Sequence, residues 1–368
     1  MAPSSFRIAD GSVHVYRLFD VADAVDLGAA ERNLSASSRL RLERAQSGAA
    51  IEIPRPPLHV HLGKRTLLLG SGPREAEARA RVYDYGVVSV HYRLDVAPGT
   101  PLEALVPLSD VLAVTPTPRI DAEARREAHE LAAALGSALE RPHEWEGFET
   151  YQVIFVRAFE GSEAPRALLA DAPIAELLLG ETSPVPLSEG ERSDVLANRF
   201  SYLADDLAVI DWNCAFVLEP SGVSDIPDLL EFATAQLLEL RYYDALLDRE
   251  LHQIYGELER GRSRNPITRR HGKLRNRTAA LLVELNEMTE RLENAVKIIG
   301  DFYLARLYQG AVRRFRLPAW QEAVLRKQRL VSEVHQLLND DADTRRAELL
   351  ELTIILLIAW EVVYALVR

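Results

Sequence analysis

The stretch that decides the fold begins Leu274-Arg275-Asn276-Arg277-Thr278-Ala279-Ala280-Leu281 and runs on to Phe302. Through Leu274, Thr278, Leu281, Leu285, Met288, Leu292, Ala295, Ile299 and Phe302 the spacing alternates four and three without a slip. Only a helix that lays one stripe against other helices requires such a heptad seam. Its large apolar members, Leu274, Leu281, Leu285, Met288, Leu292, Ile299 and Phe302, form the expected oligomerisation seam. The pattern leaves open whether the seam is filled within one chain or between chains.

Working outward, a helix is expected on the N-terminal side from Ser224 or Asp225 to about Arg260. Leu229, Phe232, Leu240, Tyr243, Leu247, Leu251, Ile254 and Leu258 supply its apolar recurrence, and Pro227 is tolerated in its first turn. On the C-terminal side the heptad helix is expected to reach Arg316, where Leu317-Pro318 breaks it. A further helix then spans Trp320 to Leu338, ending in the polar run Asn339 to Asp343. Short breaks between long helices predict antiparallel neighbours, hence a coiled-coil hairpin or small bundle over 221–343.

Residues 1–220 have a different character. Val13 to Phe19, Leu58 to Leu62, Arg65 to Leu69, Arg79 to Val90 and Tyr151 to Phe159 read as strands. Asp121 to Ala138 reads as a polar helix, and Phe200 to Leu218 as a hairpin with Asp205-Asp206 near its turn. Strands interspersed with helices and hairpins predict an α+β fold, a mixed α/β sheet domain mounted on the helical region.

The composition, 48% hydrophobic and 27% charged, is that of a folded protein. A single cysteine, Cys214, excludes an internal disulfide, and its apolar strand-like surroundings favour a buried inert thiol over a nucleophile. The net charge of -12 hides an asymmetry, because residues 260–330 hold 17 Lys and Arg against 6 Asp and Glu. Arg262, Arg264, Arg269, Arg270, Lys273, Arg275 and Arg277 are the sharpest part and the expected contact for an anionic partner. That partner is an anionic lipid surface or a nucleic-acid backbone, unless the cluster is simply a solvated turn.

No catalytic motif emerges. Gly70-Ser71-Gly72-Pro73 follows a strand, but no Lys-Ser/Thr comes after it and Pro73 removes a donor, so it is not a phosphate loop. His59 and His61 share one strand face but have no acidic or cysteine partner at ligand spacing, which favours plain exposure over a metal site. Asp205-Asp206 suits a turn better than acid–base work. No cofactor is implied, and a non-enzymatic role is expected.

The last segment, 344–368, contains the most apolar run, Leu349 to Val367. Ten Leu, Ile or Val residues from Leu352 onward favour insertion into a bilayer by about 3 to 6 kcal/mol, and Glu361 opposes it by about 2 to 3. Ile354, Ile355, Leu356, Leu357, Trp360 and Glu361 are the expected membrane-helix residues. A buried terminal helix of a soluble bundle is the alternative, with the whole chain then cytoplasmic.

At Tyr83-Asp84-Tyr85-Gly86-Val87-Val88 the chain resembles the "F-D-Y-G-V-V" strand of the YagE family, which includes the eukaryotic "required for meiotic nuclear division" proteins. Its ending, Leu350-Glu351, an Ile/Leu run, then Glu361-Val362-Val363, is similar to that family's terminal pattern. Tyr83 stands where the family usually has Phe. The resemblance implies an N-terminal α/β domain, a helical region, one C-terminal membrane helix and a tendency to assemble. Together these readings predict a membrane-tethered, self-associating scaffold or adaptor, a homo-oligomer with its bulk in the cytoplasm. The alternatives are an RNA- or ribosome-associated factor that uses residues 260–277, and an enzyme with its site in the N-terminal domain.

Overall fold

The computed structural model describes residues 6–35, 41–43, 55–69, 72–109, 118–161, 165–262, 274–283, 285–286 and 301–367. In chain order these form β1 (Arg7–Asp20), β2 (Ala22–Val25), α1 (Leu27–Ser35), β3 (Arg41–Glu43), β4 (Leu58–Leu69), β5 (Gly72–Val82), β6 (Val87–Asp95), β7 (Thr100–Pro101), α2 (Val106–Ser109) and α3 (Pro118–Leu135). Then follow β8 (Leu139–Pro142), β9 (Glu149–Phe159), α4 (Pro165–Asp171), α5 (Ile174–Leu179), α6 (Glu189–Val195), β10 (Arg199–Phe200), β11 (Leu207–Ile210) and β12 (Cys214–Leu218). The remainder is helical: α7 (Asp225–Arg262), α8 (274–283), α9 (Phe302–Arg314) and α10 (Leu317–Val367). They divide into two compact units, Met1–Tyr242 with Asn294–Trp320, and Tyr243–Glu293 with Gln321–Arg368.

The first unit is α+β. Its large sheet runs β10-β11-β12-β9-β1-β6-β5-β4-β3, with β7 also on β1. All its pairs are antiparallel except β12 with β9. β1 lies at the centre, and its side chains alternate between faces as strand geometry requires. Val13 and Val15 join Val88, Val90, Ile120, Ala124, Ala128 and Leu131 in the apolar core beneath α3. Arg17, on that same face and only 1% exposed, is retained by an ion pair to Asp121 of α3 at 2.7 Å. Ser12, His14 and Tyr16 point to the other face, where the candidate site lies.

The Tyr83-to-Val88 segment differs from its sequence reading. It is not one strand: residues 83–86 are the turn between β5 and β6, and Val87 and Val88 begin β6. Gly86 sits at φ 88, and a Cβ there would stand 1.6 Å from the Ala22 carbonyl oxygen. Aromatic and β-branched residues on both sides masked a turn that only glycine allows. Similarly, the strands read at Leu58 to Leu62 and Arg65 to Leu69 are one strand, β4, shifted in register at Gly63. Cys214 lies fully buried in β12, where burial pushes its thiol up to about 12.

The second unit packs the C-terminal part of α7, α8 and α10 through Ile254, Leu274 and Val334. The Thr278 hydroxyl stands 2.8 Å from His335 Nδ1, and Lys327 meets Asp244 and Asp248 at 2.7 Å each. Three seam residues, Leu274, Leu281 and Leu285, are buried, whereas Phe302 is 96% exposed. The reason is local: Asp301 takes an extended backbone and its carboxylate caps Tyr303 and Leu304, starting a separate helix. Met288, Leu292 and Ile299 lie outside the described residues. The break expected at Asn339 to Asp343 is absent, since α10 continues through it.

The expected membrane anchor is overturned. Among the described residues no helix is long and apolar enough to cross a membrane. The transmembrane assignment of Ile354, Ile355, Leu356, Leu357 and Trp360 is therefore withdrawn, and with it the membrane localisation. The side chain of Glu361 lies outside those described.

Candidate functional site

The candidate site is a cavity of about 300 Å³ on the sheet face opposite α3. It exists because β1, β5 and β6 all place polar residues on that face in one cross-strand neighbourhood. In the ladder His14 pairs with Arg93 and Tyr16 with His91, while Arg79 pairs with His91 on the far side of β6. Phe155 and Arg157 of β9 close one side, His59 of β4 the other, and Asp228 at the start of α7 contributes from above the sheet.

At the floor, Ser12 Oγ is 2.9 Å from His14 Nε2, and His14 Nδ1 is 3.0 Å from His91 Nε2. One consistent proton assignment runs from the Ser12 hydroxyl to His14 and from His14 Nδ1–H to His91. Tyr16 stacks on His91 with ring centroids 4.6 Å apart and planes 12° apart. Burial, then the charges of Arg93, Arg79 and Arg81, lower His14 to about 3. Burial, His14 and the same arginines hold His91 well below 6.5. Both imidazoles are therefore neutral at physiological pH, chiefly because they are buried.

The arginines are held in graded fashion. Arg81 is the deepest, bridging Asp228 at 2.6 Å and Glu231 at 2.8 Å on α7. Burial raises the Glu231 carboxyl to about 7, with Arg81 opposing. Arg157 pairs with Asp10, Arg93 with Asp95 and Arg79 with Glu77, each at 3.0 Å. These three guanidiniums are 43–49% exposed, and the Asp10 and Asp95 carboxylates are 53% and 79% exposed. Exposed pairs of this kind contribute about 0 to 1 kcal/mol each, so an incoming oxyanion can exchange for them. Neutral histidines, guanidinium forks and a hydroxyl form a donor set suited to phosphate or carboxylate.

None of the residues singled out from sequence for partner binding is in this cavity. Of the basic cluster, Arg264, Arg269, Arg270 and Lys273 lie outside the described residues, and Arg262 ends α7 without a described side chain. Arg275 and Arg277 are on α8, where Arg277 pairs with Glu250 at 2.7 Å and so supports the helix packing. His59 does line the cavity, but among the described residues no group of three His, Cys, Asp or Glu could hold a metal ion. Asp206 accepts from the Tyr202 and Leu203 backbones at 2.7 Å each, shaping a loop.

Sheet face and cavity together define an α+β domain carrying an arginine–histidine pocket. The chain belongs to the family described as "Uncharacterized protein MJ0711, N-terminal domain", whose model matches residues 10–225 and so covers nearly every residue of the cavity. It is 25% identical over 199 residues to "Uncharacterized protein MJ0711" of Methanocaldococcus jannaschii. That match covers 53% of this chain and 59% of the relative, so the chain spans less than two thirds of that protein's length. No solved structure matches. These matches carry nothing about the YagE family, and the assembly drawn from that resemblance stands as a proposal.

Proposed function

We propose that the first unit is a binding module for a small anionic ligand bearing a phosphate or carboxylate, taken into the Ser12–His14–His91 cavity. The observation that carries this reading is the set of arginines around the cavity floor. Three partly exposed guanidiniums converge on two imidazoles that burial, and then the arginine charges, keep neutral. The cavity's size, about 300 Å³, lies at the lower end of small-molecule clefts, which span about 300 to 1,000 Å³. The test is calorimetric titration with inorganic phosphate and with a small phosphomonoester. Arg93→Gln and Arg157→Gln should each weaken binding, because the lost guanidinium makes a charge-assisted contact of about 1.5 to 3 kcal/mol. Unchanged affinity in both variants would remove the cavity from consideration.

The second unit supports a second reading, self-association as a scaffold. Leu350, Leu352, Ile354, Ile355, Leu356, Leu357, Ile358 and Trp360 on α10 are all more than half exposed. A contiguous apolar surface of this kind marks an association site, and the fitting partner is the same helix of a second copy, as in a coiled coil. Sedimentation of the full chain beside one ending at Leu338 tests it. A concentration-dependent oligomer is expected only for the full chain, and a strict monomer would end the scaffold reading.

A further inference from the structure

A second cavity, of about 450 Å³, opens elsewhere in the first unit and is lined by Trp212, Trp320, Arg241, Arg314, Arg316 and Asn213, among others. We infer that it is a nucleotide site, in which an indole stacks the base and guanidiniums take the phosphate.

Trp212 sits in the turn between β11 and β12 and is 63% exposed. A large indole left open to water on a short turn contributes little to the fold. Its backbone N–H donates to Asp211 Oδ1 at 2.7 Å, which fixes the turn that presents the ring. Trp320, at the start of α10, carries the Arg241 guanidinium 5.7 Å from its ring centroid. Arg241 is itself paired with the buried Glu149. Arg314 is anchored between Asp211 at 2.7 Å and Asp194 at 3.2 Å. These two cations are therefore preoriented by carboxylates, and they hold their forks in place before any ligand arrives.

Arg316 completes the set and is its least ordinary member. It is one of two described non-glycine residues with positive φ, at 58°. Among the described residues its guanidinium makes no ion pair, although it is exposed at the cavity wall. The helix junction between α9 and α10 thus places a cation where glycine would serve the backbone better. Indoles beside arginine forks are the combination that bases and phosphates require, because every base has a stacking face and guanidinium fits phosphate bidentately. The ligand chemistry is shared by free mononucleotides and by a single nucleotide unit within an RNA strand.

The experiment titrates the full chain with AMP and separately with a tetra-adenylate, following both equilibrium dialysis and tryptophan fluorescence. Binding of AMP is expected, weakened about tenfold by Trp212→Ala, as base stacking on an aromatic side chain commonly is. Arg316→Gly provides the discriminating readout. It relieves the positive φ and should raise the thermal midpoint while weakening AMP binding, two changes that a purely structural role would not combine. Equal affinity for AMP and the oligonucleotide would support a free nucleotide as the ligand, and much tighter oligonucleotide binding a strand. Absence of binding to both ligands, or affinity unchanged in both variants, overturns the proposal. Affinity lost in Arg93→Gln but not in Trp212→Ala also overturns it, and assigns the nucleotide to the Ser12–His14–His91 cavity.

Discussion

His143, just after β8, offers the sharpest pH-dependent test of the first unit. Its Nε2 is 2.9 Å from Asp20 Oδ1 and its Nδ1 is 3.2 Å from Asp23 Oδ1. The ring lies flat on Tyr242, with centroids 4.4 Å apart and planes 3° apart. Both nitrogens face a carboxylate, which favours the imidazolium, since only that form has a proton at each. Burial alone would lower the pKa of His143, but Asp20 and Asp23 outweigh it and raise the value to about 9, against 6.5 in an unfolded chain. Asp20, raised by burial to about 6, stays ionised above that pH.

The folded state therefore keeps a proton that the unfolded chain has released between pH 6.5 and about 9. The stability contributed by His143 is fully present below 6.5 and is lost as pH rises through about 9. At about 1.4 kcal/mol per pH unit, that window corresponds to about 3 kcal/mol. Replacement by Gln keeps one donor and the approximate shape but cannot be charged. Urea unfolding of the parent protein and His143→Gln should differ by about 3 kcal/mol near pH 6, and by less than about 1 kcal/mol above pH 9. A difference that stays constant across that range would refute the charged-histidine reasoning, whatever its size.

Gly86→Ala should destabilise the first unit by at least about 3 kcal/mol, because φ 88 is unfavourable for alanine and its Cβ would meet the Ala22 carbonyl. A thermal scan suffices, and a shift of under one degree would show that the turn relaxes freely. The anion proposal has a proton-linked signature. Burial, and after it the arginine charges, lower His14 to about 3; a bound anion offsets the arginine part, so binding near pH 5 should take up protons and strengthen as pH falls. Calorimetric heats in two buffers of different ionisation enthalpy would reveal this; identical heats would separate the anion from the histidines.

Legibility in the sequence followed the physics of short-range pattern. β1 and β9 were readable because Val13 to Phe19 and Tyr151 to Phe159 are β-branched and aromatic over strand-length runs. The turn at Gly86 was not, because Tyr83, Tyr85, Val87 and Val88 have strand propensity that tertiary geometry overrides. Leu274, Leu281 and Leu285 of the seam were legible as buried helix positions, but Asp301 caps a helix that begins at Phe302, a capping effect that a 4-3 count does not see. The cavity was hidden for another reason. Arg79, Arg81, Arg93 and Arg157 come from three strands, and only the antiparallel register of β5, β6, β1 and β9 assembles them. One local signal was available: the alternation Ser12, His14, Tyr16 puts hydroxyl, imidazole and phenol on the strand face away from Val13 and Val15.

The two faces of β1 show why that signal points to ligand rather than to fold. Beneath α3 the face is apolar, and Arg17 is closed off by Asp121 with 1% of its side chain exposed. There a polar group is retained only with a dedicated partner, which is how buried charges persist. Across the sheet the same strand places one imidazole, and its neighbours a second imidazole and three partly exposed guanidiniums, around a cavity instead of filling it with apolar side chains. Filling that space with Val or Leu would add about 1.5 to 3 kcal/mol per buried side chain. A fold that forgoes this stabilisation on one face, while using it on the other, departs from local consistency where departures mark function. The anion proposal accounts for that asymmetry with one requirement, a surface of donors held apart until an acceptor arrives.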